Sequence, residues 1–469
     1  MKCSLLIKCF LLFICIESCN ARNGGPGADT EFTDTSIVSK NITTDSFPAG
    51  KLIPGIICGA DARQSYALYI PAKNERTSLP VIYFFDPHGD GAGALQRYID
   101  LAERYRFIMV ASNNSKNGND WPTEDKIWNS LYTDIQTRLK PNNSRIYVCG
   151  FSGGAKAATY FTLQHNYISG VIACGGALPE ITQSGNFNFS FTAITGEGDM
   201  NRSDLVAVNS SLNDTSIRHR IIFFDGIHAW PPAGIMDMAF AGLQLDAMAK
   251  KIIPIDSAFI NAYIGQSQKS VADLSNANKP ERAEAVCTFS INLLKGLSDA
   301  VNWFAEKDKM IKSSKAYQQQ LAISTKLQQR EQEIKMLYQS QFQQGDMNYW
   351  VATINDIMAR IKGNGAEAAM YQRLKAYLSL AFYSISNQNI NNGQDAAARH
   401  FVILYTLVDS SNSEAWYFSA ILNARNKNAG LAKADLLKAI SNGFNDKERL
   451  RQQPEFQGID LTEITGKMK

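Results

Sequence analysis

The chain predicts an α/β domain built on a mostly parallel β-sheet with helices on both faces, followed by an all-α region. Three observations carry this. Between Lys51 and Lys250, strand-length apolar runs alternate with helix-compatible segments, which is the pattern of a parallel sheet covered on both sides. After Ile255 the strand signal vanishes and one helix-length segment follows another. Between a strand-like run and a helix-compatible one lies the glycine-serine turn Gly150-Phe151-Ser152-Gly153-Gly154.

In chain order, the first element is an address rather than structure. Met1 to Lys8 carries two lysines, and Cys9 to Ile16 is an apolar core too short to span a bilayer, so residues 1–18 are expected to be a secretory signal. Ile16-Glu17-Ser18-Cys19 resembles a bacterial lipobox, which implies Cys19 as an acylated first residue; ordinary cleavage nearby is the alternative. Residues 19–50, with Asn23-Gly24-Gly25-Pro26-Gly27-Ala28, then form a flexible tether. The expected location is beyond the inner membrane of a bacterium, either the cell envelope or the outer membrane as a lipoprotein, with membrane contact through the lipid anchor only. No later segment has the uninterrupted apolar length of a transmembrane helix.

With 469 residues, 45% hydrophobic and 19% charged, the remainder can bury substantial cores and is expected to divide into residues 51–250, a long-helix connecting region at 251–345 and a helical region at 346–469. The net charge of +3 and the lack of a basic run argue against a nucleic-acid partner. Of the eight cysteines, Cys3, Cys9 and Cys15 leave with the signal. Cys149 and Cys174 sit in apolar runs where a buried thiol is the default, and Cys58 and Cys287 either pair or stay free. There is no C-x-x-C and no H-E-x-x-H, so no metal or other cofactor is expected.

Within residues 51–250, strands are predicted at Ser65–Ile70, Val81–Phe85, Phe107–Ala111, Arg145–Cys149, Gly170–Cys174, Phe191–Thr195 and Arg220–Phe224, with helices at Gly93–Tyr105, Thr123–Leu139 and Gly234–Ala249. The chemistry-bearing residues follow strand ends, where open α/β sheets bind ligands. A serine on a sharp strand-to-helix turn flanked by glycines is held clear of the sheet as a nucleophile, and such an elbow needs a carboxylate and then a histidine, each after a later strand. Asp199 follows Phe191–Thr195 in Gly196-Glu197-Gly198-Asp199, with Glu197, Asp204 and Asp225 as rivals. His228 follows Arg220–Phe224 in Asp225-Gly226-Ile227-His228-Ala229-Trp230-Pro231-Pro232. Of the chain's five histidines, His219 lies inside a strand, His165 and His400 sit on helix-like segments, and His228 is the one on a loop free to reach an elbow. A serine hydroxyl needs such an imidazole to take its proton, and a carboxylate to fix the tautomer. Upstream, Val81–Phe85 ends in Asp86-Pro87-His88-Gly89-Asp90-Gly91. His88, Gly89 and Asp90 form the loop that faces an elbow from an earlier strand, with His88 as a loop organiser. The segments Asn113 to Lys126 and Leu178 to Asn188 are candidate specificity loops.

These motifs resemble the α/β-hydrolase superfamily and, within it, the polyhydroxybutyrate-depolymerase, feruloyl-esterase and dienelactone-hydrolase-like esterases. The resemblance covers roughly Lys51 to Lys250. It implies Ser152 as nucleophile, His228 as general base and then acid, Asp199 as orienter of the imidazole, and the backbone amides of Gly153 and Asp90 as an oxyanion hole. One departure is Asp90, acidic where many relatives carry a small or apolar residue.

Past Ile255, Lys315–Gln341 reads as a long amphipathic helix packing on its neighbours. Asp395–Leu407, Ser413–Arg425 and Leu431–Ile440 are helix-length, and Met347–Lys362 with Ala366–Ser386 form an earlier pair. Ala415-Trp416-Tyr417-Phe418-Ser419-Ala420 with Leu422 and Ala424, then Ala434, Leu437, Ala439-Ile440 and Gly443-Phe444, resemble a tetratricopeptide repeat, which implies a helical-hairpin array able to meet a protein or peptide partner or to pack on the α/β domain. Two function classes follow. One is an envelope serine esterase acting on an ester of a carbohydrate, an aromatic acid or a small polyester, with a serine peptidase as its variant. The other is a surface-anchored binding or assembly protein whose α/β domain is an inert scaffold.

Overall fold

The computed structural model describes residues 47–72, 78–183 and 188–468. The signal, Cys19 and most of the tether lie outside them, as does part of the Leu178 to Asn188 loop. The α/β part runs β1 (Leu52–Ile57), β2 (Ser65–Tyr69), β3 (Val81–Phe85), α1 (Gly91–Gln96), α2 (Ile99–Tyr105), β4 (Ile108–Ser112), α3 (Trp121–Leu139), β5 (Ile146–Phe151), α4 (Gly153–Gln164), β6 (Ile168–Cys174), β7 (Ser190–Gly198), α5 (Arg202–Ser211), β8 (Arg218–Ile227) and α6 (Ala233–Ala249). The eight strands form one sheet in the order β1-β2-β4-β3-β5-β6-β7-β8. β1–β2 and β2–β4 pair antiparallel, and every other neighbour pairs parallel. This is the α/β-hydrolase sheet that the motifs led us to expect.

Period-two alternation sorts the central strands between two cores. In β3, Ile82 and Phe84 enter a cluster with Tyr98, Met236 and Phe240, while Val81, Tyr83 and Phe85 enter another with Trp128, Ile135 and Phe161. Every residue of β3 is buried, which is why it reads as a continuous apolar run. The first core extends past residue 250. α7 (Ser257–Asn276), α8 (Pro280–Leu294) and α9 (Ala300–Ser313) return to the same face and contribute Ile260, Val286, Leu293 and Phe304.

Two readings need correcting, and one left open is decided. The segment Gly93–Tyr105 is two helices, α1 and α2, broken at Tyr98, whose buried hydroxyl donates to the Pro231 carbonyl at 2.7 Å. β1 was not expected from the sequence. Its pairing with β2 shifts register between Ile53 and Ile56, and several of its residues face solvent, so the alternation that announces a strand is broken. Cys58 and Cys287 are both free and buried, in the clusters on opposite faces of the sheet.

The helical part continues with α10 (Lys315–Gln341), α11 (Met347–Ile361), α12 (Ala366–Asn391), α13 (Asp395–Val408), α14 (Ser413–Arg425) and α15 (Ala429–Ser441). They share a third core, in which Trp350, Leu374, Phe382, Tyr405 and Phe418 are buried. α10 packs as an ordinary amphipathic helix, burying Tyr338 against this core. Among the described residues no helix is long and apolar enough to cross a membrane.

Candidate active site

Ser152 stands directly after β5 and before α4, with φ 54° and ψ −117°. A non-glycine residue held there costs about 1–3 kcal/mol, sustained only if its surroundings fix it. Its N–H donates to the Cys174 carbonyl at 2.8 Å, and its own carbonyl accepts from Ala155 and Lys156 at 3.1 and 3.2 Å. The turn leaves no room for flanking side chains. A methyl group on Gly150 would lie 2.1 Å from the Gly154 carbonyl oxygen, and one on Gly154 2.0 Å from that of Phe85. The two glycines are therefore required by close backbone approach, which is the physical content of the motif.

Asp199 follows β7 and His228 follows β8. The Ser152 hydroxyl lies 2.9 Å from His228 Nε2, and His228 Nδ1 lies 2.9 Å from Asp199 Oδ1. A carboxylate on Nδ1 fixes the proton on that nitrogen and leaves Nε2 as the acceptor for the serine proton. The Asp199 carboxylate is buried, at 1% exposure, and also accepts from the Asn201 N–H at 2.9 Å. The imidazole is 17% exposed, so the site opens to solvent on the histidine side.

The rival carboxylates have other partners. Glu197 pairs with Arg202 at 2.9 Å, Asp225 pairs with Arg282 at 2.7 Å and Lys279 at 3.1 Å, and Asp204 lies in the first turn of α5, where burial raises its pKa. Of the other histidines, His165 caps the C-terminus of α4 and stacks on Trp128, His219 meets Asn209 Oδ1 at 3.1 Å, and His400 packs on Phe401. Asp90 caps α1, its carboxylate accepting from the Gly93 N–H at 2.9 Å. Gly153 opens α4, so its N–H is among those a helix start leaves without an intrahelical partner.

Asp86 is a site residue that the sequence did not single out. It is buried, and its two oxygens accept from the His88 N–H and from Trp230 Nε1, each at 2.8 Å. One carboxylate thus ties the loop after β3 to the loop that carries His228. Burial pushes its pKa up, but the hydrogen bonds from His88 and Trp230 outweigh that and hold it below the ordinary carboxylate value. The hydrogen bond to Asp86 in turn raises the pKa of His88. The aromatic ring of Phe151 packs 4.7 Å from the His228 ring and 5.6 Å from that of Trp230, walling the imidazole against the sheet. Among the described residues no group of three or more His, Cys, Asp or Glu side chains is arranged to hold a metal ion.

A strained serine on an elbow of an α/β-hydrolase sheet, bonded through an imidazole to a buried carboxylate, places the chain in that fold class. No protein-family model and no curated protein matches its sequence. Solved structures that it resembles include a ferulic acid esterase, at 15% identity over 40% of this chain and 94% of that one, with a TM-score of 0.33. A fluorophosphonate-binding serine hydrolase from Staphylococcus aureus is 10% identical over 42% of this chain and 98% of that one, with a TM-score of 0.35. A truncated carbohydrate esterase from gut microbiota is 11% identical over 42% of this chain and 98% of that one, also with a TM-score of 0.35.

Proposed function

We propose that the chain is a serine hydrolase that cleaves carboxylic esters through an acyl-enzyme. The observation that carries this reading is the continuous relay from Ser152 Oγ through His228 to Asp199, both links at 2.9 Å. Ser152 Oγ attacks the acyl carbon while its proton passes to His228 Nε2, and the carbonyl electron pair moves onto oxygen. The Gly153 N–H holds that oxyanion together with a second donor from the loops beside the elbow, Asp90 being the one the sequence points to. Collapse breaks the bond to the alcohol oxygen, which takes the proton from Nε2, and water then repeats the sequence to release the acid. General-base help of this kind is worth about a hundred- to ten-thousandfold in rate.

The substrate class is an ester of a carbohydrate, an aromatic acid or a small polyester, met in the cell envelope, where acylation of Cys19 would hold the enzyme at the membrane. The helical region would bring the enzyme to a protein or peptide partner. A serine-reactive fluorophosphonate probe tests the reading. It should label the wild type and leave Ser152→Ala unlabelled, and a panel of chromogenic acetyl, feruloyl and longer acyl esters should then rank the substrates. A wild type that stays unlabelled and cleaves no activated ester would leave the α/β part as a scaffold.

A further inference from the structure

Part of the donor supply of the loop after β3 is already committed. Pro87 has no N–H, the His88 N–H is taken by Asp86 Oδ1 at 2.8 Å, and the Gly89 N–H by the Asp86 carbonyl at 3.1 Å. Two of its glycines abut β4 and the loop after it. A methyl group on Gly89 would lie 2.9 Å from the Asn113 carbonyl oxygen, and one on Gly91 2.8 Å from that of Ala111. Both neighbours belong to β4 or the loop after it. In the order β4-β3-β5 that is one flank of β3, whereas Ser152 and Gly153 stand at the end of β5 on the other. Asp90, between those glycines, is exposed, and its carboxylate caps α1.

A different group crosses the gap. The loop between β4 and α3 passes over the end of β3, where the Asn117 N–H donates to the Pro87 carbonyl at 2.9 Å. Its side chain then reaches Gly153 itself: a methyl group on Gly153 would lie 1.7 Å from Asn117 Oδ1 and 3.5 Å from Nδ2. The carboxamide therefore rests on the residue whose N–H is the first oxyanion donor. Among the described residues it makes no side-chain hydrogen bond, although Asn113, Asn114 and Asn119 of the same loop all do. The loop is braced. Ser112 Oγ accepts from the Asn114 and Ser115 N–H groups at 3.1 and 2.9 Å, and the Asn119 amide donates to the buried Glu124 at 2.8 Å. An exposed carboxamide on a braced loop thus stands beside the elbow with no protein group fixing its orientation.

We propose that Asn117 is a catalytic residue, its side-chain N–H completing the oxyanion hole with the Gly153 N–H. The assignment rests on the ester-hydrolase reading above. Rotation of the free carboxamide about its last side-chain bond exchanges Oδ1 for Nδ2 without moving the backbone, which turns a donor toward the oxygen that becomes negative as Ser152 attacks. A fixed amide dipole aimed there stabilises the transition state more than the neutral ester, so its loss falls on kcat rather than on KM.

The test is steady-state hydrolysis of a chromogenic acetyl ester by wild type, Asn117→Ala, Asn117→Gln and Asn117→Asp, with fluorophosphonate labelling of wild type and Ser152→Ala alongside. Asn117→Ala should lose about a hundredfold in kcat, the scale for one oxyanion donor, with KM little changed and the thermal midpoint unmoved, since the side chain is exposed. Asn117→Gln should recover part of the loss, and Asn117→Asp should fall further because a carboxylate repels the oxyanion. Affinity for a trifluoromethyl ketone, which forms a tetrahedral oxyanion on the serine, should weaken in step with kcat. An Asn117→Ala enzyme with wild-type kcat, or a kcat loss without loss of ketone affinity, overturns the assignment and returns the role to the Asp90 amide. If wild type and Ser152→Ala label alike, the hydrolase reading itself falls.

Discussion

Arg373, on α12 of the helical region, donates from Nη1 to the backbone carbonyl of Glu197 at 2.6 Å, two residues before Asp199. The same guanidinium holds Glu331 of α10 through Nε at 2.7 Å and Nη2 at 2.6 Å, and Lys335 closes the other Glu331 oxygen at 2.7 Å. Beside it, a methyl group on Gly198 would lie 3.1 Å from the Gln372 Cβ. The helical region is thus bolted to the turn that carries the acid of the relay. The first prediction follows from burial: Glu331 is 1% and Arg373 9% exposed at the side chain, so Arg373→Ala leaves a charge without its main partner. The cost should be about 3–5 kcal/mol, whereas replacing both residues by methionine costs less because the charge then left without a partner is that of Lys335, whose side chain is more exposed than that of Glu331. Urea unfolding of the three proteins checks this, and an Arg373→Ala protein as stable as wild type would show that water reaches the pair.

The same triad sets a pH dependence. Burial pushes the Glu331 carboxyl up, but Arg373 and Lys335 outweigh that and hold its pKa below the ordinary value of 4.5. A folded pKa below the unfolded one means that the ionised form is favoured by folding. The contribution is complete above pH 4.5 and is lost as pH falls through the depressed folded value. Stability measured by urea at successive pH values should fall more steeply in that acid range for wild type than for the double methionine variant, and equal slopes would place the titration elsewhere.

Asp86 gives a prediction on activity. Asparagine at this position keeps the shape but presents one N–H to a donor, so either the His88 amide or the Trp230 indole loses its acceptor. A buried donor left unpaired costs about 1–3 kcal/mol, and the loop carrying His228 is then no longer tied to the loop after β3. Asp86→Asn should lower the thermal midpoint and kcat together. A variant that melts earlier with unchanged kcat would make the tie structural only.

How much of this was legible depends on how local the cause is. The sheet announced itself through runs such as Val81–Phe85, whose burial on both faces is written in consecutive residues. Ser152, Asp199 and His228 were readable because each stands in the first position after its strand, so a motif and a strand end coincide. Asp86 was not, since a carboxylate before a proline looks like a turn former until Trp230, 144 residues away, is seen to bond it. Arg373 acts across 176 residues and sits on a helix whose spacing advertises only a buried face. The loop of Asn117 reads as a specificity element, but which of its polar side chains faces the elbow is decided by the order β4-β3-β5, which no local pattern encodes.

The relay predicts the sharpest kinetic losses. Ser152→Ala should be unreactive toward the fluorophosphonate. Asp199→Asn should fold, since the amide fits the same space, yet lose on the order of ten-thousandfold in kcat because it permits the wrong imidazole tautomer. Double replacement of Asp199 and His228 should cost little more than replacement of His228 alone, as groups that act as one unit are not additive. Additive losses would mean that the two side chains work separately.

Gly175 carries the last prediction. It follows β6 with φ +62°, and a methyl group there would lie 2.9 Å from Asp199 Oδ2, 3.0 Å from the Phe151 ring and 3.1 Å from His228 Cε1. Gly175→Ala therefore combines a left-handed backbone cost of roughly 1–2 kcal/mol with pressure on both the acid and the imidazole. The methyl group cannot move, because the Gly175 N–H donates to the Ile194 carbonyl at 2.9 Å and its carbonyl accepts from Asn201 Nδ2 at 2.8 Å. The side chains of Asp199 and His228 must give way instead, lengthening the bond between them. Expected is a kcat loss larger than the drop in stability accounts for, read by comparing activity with thermal midpoint. If the two fall in proportion, the glycine serves the backbone alone and not the alignment of the relay.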